Sequence, residues 1–144
     1  MTKIILDARK INDYGIGEYI KALYPALMEA ADMETRVVIN QCPETARFCE
    51  EIPASEIIRV GSPNYSAREH LEVPRAVKGL EEFFYFSPHY IFPWFLKNRM
   101  IVTIHDLIHF KFPHYFRPGI KVAFAGQFIK KIRNSGAKVF TVSE

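Results

Sequence analysis

Residues 3–20 read Lys3-Ile4-Ile5-Leu6-Asp7-Ala8-Arg9-Lys10-Ile11-Asn12-Asp13-Tyr14-Gly15-Ile16-Gly17-Glu18-Tyr19-Ile20. A short apolar run passes through a polar, glycine-bearing turn. It enters a segment whose apolar positions Ile16, Tyr19, Ile20, Leu23, Leu27 and Ala30 recur at helical spacing. A strand over Ile4–Asp7 followed by such a helix is the opening half of a β-α-β unit. The near-continuous apolar character of the strand marks burial on both faces, as a parallel strand requires. Pro25 falls inside the helix and predicts a kink or a restart there.

The alternation continues downstream. Arg36–Ile39 is β-branched and predicts a second strand. Gln41 to Ser55 is polar, with two prolines, and reads as an irregular excursion with room for one helical turn. Ile57–Val60 is a third strand, closed by Gly61-Ser62-Pro63. Ser66-Ala67-Arg68-Glu69 has the capping-box pattern and predicts a helix start, and Pro74 predicts a division of that helix into two. Phe83–Phe86 is a fourth strand, leading into Ser87-Pro88-His89-Tyr90. Met100–Ile104 is a fifth, leading into His105-Asp106. A helix from about Pro118 to Asn134 carries Lys130, Lys131 and Arg133 as a solvated, dipole-complementing end, with Gly136 placed to stop it. Lys138–Val142 is the last strand. Strands alternating with helical segments predict the α/β class, with a parallel sheet and crossover helices. Ser143 is placed as an N-cap at the end of the given sequence, which reads as part of something longer.

Composition narrows the class further. The 144 residues are 49% hydrophobic and 24% charged, which is globular and excludes disordered and fibrous chains. A formal net charge of +3, scattered along the chain, gives no argument for a nucleic-acid partner. Cys42 and Cys49 lack the paired spacing of a zinc site and read as free thiols of a reducing cytoplasm. The N-terminus enters a strand without a secretory leader, so a cytoplasmic location is expected. The most apolar stretch, Phe83 to Phe95, is broken by Pro88 and Pro93 and falls short of the ~20 residues a membrane-spanning helix needs.

Three places can carry chemistry. In an open parallel sheet ligands bind beyond the strand carboxyl ends, so Asp7 and the Gly15-Ile16-Gly17 loop at the start of the first helix are candidates, the loop suiting phosphate. A nicotinamide cofactor is not expected: a third glycine is replaced by Ile20, and the second strand closes on Asn40-Gln41 instead of an acid. His105 emerges from a buried strand with Asp106 beside it, either as a ligand group or as a histidine hydrogen-bonded to a neighbouring loop. A metal set His105/Asp106/His109 can be written down. Phe110, Phe112 and Pro113 argue against the helix it would need, and no metal is expected. The aromatics Phe83, Phe84, Tyr85, Phe86, Tyr90, Phe92, Trp94 and Phe95 have too few cations near them, Lys97 and Arg99, for a nucleic-acid platform. They read as a core strand plus an apolar loop, with Tyr90 to Phe95 as a candidate contact for a lipid-linked substrate or a membrane interface.

Asp7-Ala8-Arg9, Tyr14-Gly15-Ile16-Gly17-Glu18-Tyr19, Ser87-Pro88-His89-Tyr90, Val102-Thr103-Ile104-His105-Asp106-Leu107 and Phe140-Thr141-Val142-Ser143-Glu144, in this order over nearly the whole chain, resemble the N-terminal domain of the family 4 (group 1) retaining glycosyltransferases. The resemblance implies a GT-B architecture, in which two Rossmann-like domains face each other across a cleft. Residues 1–144 would be the acceptor-side domain, a mostly parallel sheet with helices on both faces. The nucleotide-sugar domain, with the groups that neutralise the leaving diphosphate, has no counterpart here, so the chain alone is expected not to turn over. By the same resemblance, Gly15, Ile16 and Gly17 match the loop near donor phosphate and acceptor, and His105 matches the histidine that reaches the donor sugar. Asp7, Tyr14, Glu18, Ser87, His89, Tyr90 and Asp106 fall on the acceptor cleft. Glu18 stands where many members carry Arg.

The resemblance further implies a nucleotide-sugar donor and a glycan, lipid-linked or small-molecule acceptor, with retention and with no cofactor or metal. Peripheral contact with the inner face of a membrane, and self-association through apolar surface that a longer chain would cover, are further expectations. The competing class is a non-catalytic α/β ligand-binding module.

Overall fold

The computed structural model describes residues 1–41, 45–50, 52–80, 82–96, 99–112 and 120–142. Cys42, Lys97, His114, Pro118, Ser143 and Glu144 lie outside the described residues, as does the side chain of His109. The elements are β1 (Thr2–Asp7), α1 (Ile16–Glu29), β2 (Met33–Asn40), α2 (Ala46–Glu50), β3 (Ile57–Val60), α3 (Glu69–Ala76), β4 (Phe83–Ser87), β5 (Arg99–Ile104), α4 (Ile108–Lys111), α5 (Ile120–Ser135) and β6 (Lys138–Thr141). The strands form one six-stranded sheet in the order β3-β2-β1-β4-β5-β6, with every neighbouring pair parallel. This is the α/β, Rossmann-like fold. Its strand order reverses between β1 and β4, the switch point at which connections on either side diverge and leave a crevice.

Side-chain alternation assigns the faces. Ile4, Leu6, Val37, Ile39 and Phe86 point to one side and bury Ile20, Tyr24 and Leu27 of α1, with Phe48 of α2 packed against them. Ile5, Val38, Val60, Phe83 and Tyr85 point to the other and pack on Val73 of α3. On that second side Phe128 and Ile132 of α5 close over Met100 and Val102 of β5, with Phe92 between them. The helices therefore cover both faces. The strand β6 stays exposed along its length, Val139 and Phe140 included.

Helix α1 runs through Pro25 without a restart; Pro25 and Lys21, whose carbonyl loses its partner, both face solvent. Three local expectations are corrected. Helix α3 likewise contains Pro74 undivided. The capping box does not form. The Ser66 hydroxyl donates to the Pro63 carbonyl (2.7 Å), and the Glu69 carboxylate is drawn away to Arg9 and to the Tyr65 amide. A long-range ion pair has won over a local cap. Finally, one helical turn, α4, forms where Phe110 and Phe112 argued against it, its Ile108 N–H held by the Asp106 carboxylate at 3.0 Å.

The β1–α1 turn owes its shape to its glycines. Gly15 takes φ +81°, a left-handed backbone that a side chain would strain. Gly17 is buried, and a Cβ there would overlap the Ile11 carbonyl. Because that neighbour is backbone, it cannot swing away. Gly17→Ala is expected to lower stability by about 1–3 kcal/mol or more, read as a lower urea midpoint with an unchanged m-value. An unshifted midpoint would show that the turn yields at no cost.

Candidate functional site

At the switch point a cavity of about 260 Å³ opens beyond the carboxyl ends of the strands. Tyr14, Gly15 and Ile16 come from the turn after β1, His89 and Tyr90 from the turn after β4, and His105 and Asp106 from the turn after β5. A second hollow of about 220 Å³ lies at the opposite, amino end of the sheet, against Lys3, Arg36 and Gly79. Open parallel sheets take ligands at the carboxyl end, and the polar groups converge there.

The floor beside this cavity is ionic. Alternation places Asp7 on the same face as Ile5, beneath α3, so its carboxylate turns away from the cavity. Arg9 donates to Asp7 through Nε (2.8 Å) and Nη2 (2.6 Å), and to Glu69 at the head of α3 through Nη1 (2.8 Å). The Tyr85 hydroxyl of β4 donates to Asp7 at 2.7 Å. All four side chains are buried. Burial pushes the Asp7 carboxyl up, but the Arg9 charge and the hydrogen bonds from Arg9 and Tyr85 outweigh it and hold the group below its ordinary 3.8. Burial and then the Asp7 charge raise the Tyr85 hydroxyl, so it stays a donor. The expected cleft residue Asp7 is thus corrected to a buried member of this network.

Lys10 joins the floor to the cavity wall. It is 8% exposed, and its Nζ donates to the Tyr65 hydroxyl and to His89 Nδ1, the latter at 3.2 Å. Burial lowers its pKa to about 8, which leaves it a cation at neutral pH. The Ile91 N–H also donates to His89 Nδ1 (3.1 Å), so that nitrogen carries no proton. Tyr65 itself sits at φ +64°, with its N–H on Glu69 and its hydroxyl raised to about 12 by burial.

His105 is half-buried. Its Nε2 lies 2.8 Å from the Pro88 carbonyl, which can only accept, so Nε2 holds the proton and donates. The ring packs edge-on to Tyr19 (5.0 Å between centroids), whose hydroxyl reaches Thr103 at 3.2 Å. His105 is thus hydrogen-bonded to a neighbouring loop, and it also lines the cavity. Tyr90 stacks on His89 at 4.3 Å, its hydroxyl raised by burial and the Asp106 charge.

The other expected residues divide. Gly15 is the N-cap of α1, without a side-chain cap, so the positive end of that helix abuts the cavity. Gly17 serves packing against Ile11 rather than ligand approach. Ser87 is buried, with its hydroxyl within donating reach of the His89 (2.7 Å) and Ile91 (3.0 Å) carbonyls, and it shapes the turn from behind. Glu18 points to solvent and pairs with Lys21 at 2.6 Å, an exposed contact of small value. Among the described residues no cluster of three or more His, Cys, Asp or Glu could hold a metal ion. Lys10 and Tyr65 escaped the sequence reading. The available signal was a lysine directly after a strand's carboxyl end, between Arg9 and Ile11.

Arg9→Met leaves two buried carboxylates without their cation and is expected to cost about 3–5 kcal/mol in urea unfolding. The lowered Asp7 group fixes the sign of the pH dependence. The network's contribution is complete above about pH 4 and lost as pH falls through the folded value of Asp7. Acid unfolding monitored in the wild type and in Arg9→Met should show that component in the wild type alone; identical acid profiles would contradict it. Set against known proteins, the chain matches no family model, no curated protein and no solved structure significantly.

Proposed function

We propose that this chain is the acceptor-side domain of a retaining, GT-B glycosyltransferase of family 4, which moves a sugar from a nucleotide-sugar to a glycan, lipid-linked or small-molecule acceptor. One observation carries the reading: three turns far apart in sequence, around Gly15, His89 and His105, form one cavity at the sheet's switch point. Two tyrosine rings, two imidazoles and a carboxylate around a small hollow suit a sugar, which offers apolar C–H faces and hydroxyls that both donate and accept. With His105 Nε2 committed to Pro88, a neutral ring has Nδ1 as an acceptor for a sugar hydroxyl. The uncapped start of α1 would favour a phosphate at the same rim. Transfer itself would need a second domain to bind the donor and stabilise the departing diphosphate. No helix among the described residues is long and apolar enough to cross a membrane. A lipid-linked acceptor would be met from the surface, where Phe95 stands 58% exposed.

The same His105–Pro88 bond favours a second reading, a binding module in which the ring only holds the loop. Amide shifts of the labelled chain, titrated with mono- and oligosaccharides and with nucleotide-sugars, test both. Perturbations are expected at Gly15, Ile16, His89, Tyr90, His105 and Asp106. His105→Ala should weaken saccharide binding roughly three- to tenfold and, in an enzyme carrying both domains, lower kcat about a hundred- to a thousandfold with a smaller change in KM. Shifts confined to the hollow at Lys3, Arg36 and Gly79, or none with any sugar, would overturn the proposal. Normal turnover in His105→Ala would favour the holding role.

A further inference from the structure

The connection from β4 to β5 contributes His89 and Tyr90 to the cavity, and its described part, residues 88–96, contains no helix. Imidazoles tie its backbone at three points. His105 Nε2 donates to the Pro88 carbonyl (2.8 Å), the Ile91 N–H donates to His89 Nδ1 (3.1 Å), and the Trp94 N–H donates to His70 Nδ1 (3.0 Å). The first tie survives either protonation state of its ring. The second and third do not, because a proton on Nδ1 of either ring would set donors against each other; at His89 the Lys10 Nζ already donates to that nitrogen, whereas His70 Nδ1 has the Trp94 N–H.

His70 is half-buried on α3, its ring 6.1 Å from that of Phe128 on α5. The charged groups acting on it are Glu69 on its own helix, Arg9 from the turn after β1 and Lys131 from α5. Glu69 is already engaged by Arg9. The sequence places Lys131 in a solvated helix end; instead its Nζ lies 4.3 Å from the centre of the Trp94 ring. We infer that His70 is an acid-sensitive clip on the cavity loop: protonation of Nδ1 releases the Trp94 backbone and loosens the segment that presents His89 and Tyr90. That release should weaken ligand binding, a consequence that rests on the proposed function of the cavity.

Burial, opposed by Glu69 and helped by Arg9 and Lys131, holds His70 below its ordinary 6.5. The unfolded or released segment therefore takes the proton first. The clip is complete above pH 6.5 and is lost as pH falls through the folded value. Asp7 keeps the ionic floor intact until well below that window.

Trp94 is the single tryptophan of the chain, so its fluorescence reports this loop directly. The test follows Trp94 emission, amide protection factors and the imidazole ¹⁵N shifts of His70 from pH 8 to 5, with far-UV circular dichroism as the control for global folding. One transition below pH 6.5 is expected in all three, with Trp94 amide protection falling roughly five- to tenfold and helix content unchanged. His70→Gln, whose side-chain oxygen can accept the same N–H without titrating, should abolish the transition. A Trp94 amide indifferent to the titration of His70 in the wild type would overturn the clip even if the variant failed to fold. So would a transition persisting in His70→Gln. Released Trp94 with saccharide binding unaltered would uphold the clip and overturn its control of the ligand, whereas no saccharide binding at any pH would overturn the proposed function and leave the clip standing.

Discussion

The buried grip of Arg9 on Asp7 and Glu69 is the interaction the rest of the structure depends on. Two carboxylates and one guanidinium at the carboxyl end of a central parallel strand carry a desolvation cost of several kcal/mol per ion. They are tolerable because each has near-complete company, with Tyr85 donating to Asp7 and the Tyr65 amide to Glu69. The net gain over an apolar cluster is small. What the network imposes is a condition: α3 must begin where Glu69 can meet a guanidinium rising from β1. That condition spans the sheet from β1 to β4 and anchors the helix over it. The Arg9 carbonyl also accepts from Asn64, whose own oxygen accepts from Asn40 at the end of β2, so the turn before α3 is tied to two strand ends at once.

From this floor the cavity follows by topology. Connections after β1 lead to one face and those after β4 to the other, so the turns part at the switch point and leave room between them. Lys10 is the step from floor to wall. Directly after Arg9, it lies against the Tyr65 ring at 3.9 Å and reaches His89, putting a buried cation behind a cavity-lining imidazole. With Nδ1 of His89 occupied by two donors, the neutral ring carries its proton on Nε2. The fold thereby selects the tautomer.

The sheet was legible because its information is local. Runs such as Ile4–Leu6, Val37–Ile39 and Ile101–Ile104 are too short and too β-branched to be anything but strands, and the helical period between Ile16 and Leu27 links the first two in parallel. Strand carboxyl ends locate a site, so His89, His105 and Asp106 could be named from position alone. What stayed illegible depends on distant partners. The Ser66–Glu69 cap looks sound until Arg9, sixty residues away in sequence, competes for Glu69. Asp7 looks like a cleft residue until alternation turns it beneath α3. Position after a strand's carboxyl end marks Lys10, but its burial is not legible, because its partners Tyr65 and His89 are brought to it by the topology.

The same contrast governs rigidity around the cavity. On the floor, charge meets charge, and the Arg9 charge with the hydrogen bonds from Arg9 and Tyr85 holds the Asp7 carboxyl below its ordinary value, so that pair persists across the neutral range. The wall formed by residues 88–96 has no helix over its described length and is held by hydrogen bonds to imidazoles and to the Ser87 hydroxyl, with Ile91, Phe92 and Leu96 buried and Phe92 and Trp94 packed edge-on against Phe128 at 5.4 and 5.2 Å. Each imidazole tie contributes about 1 kcal/mol, less than the burial of a side chain such as Phe92. The segment bearing His89 and Tyr90 therefore joins core packing at Phe92 to backbone ties at Ile91 and Trp94 that depend on an unprotonated imidazole nitrogen, whereas the floor beside it depends on a charge pair that neutral pH leaves intact.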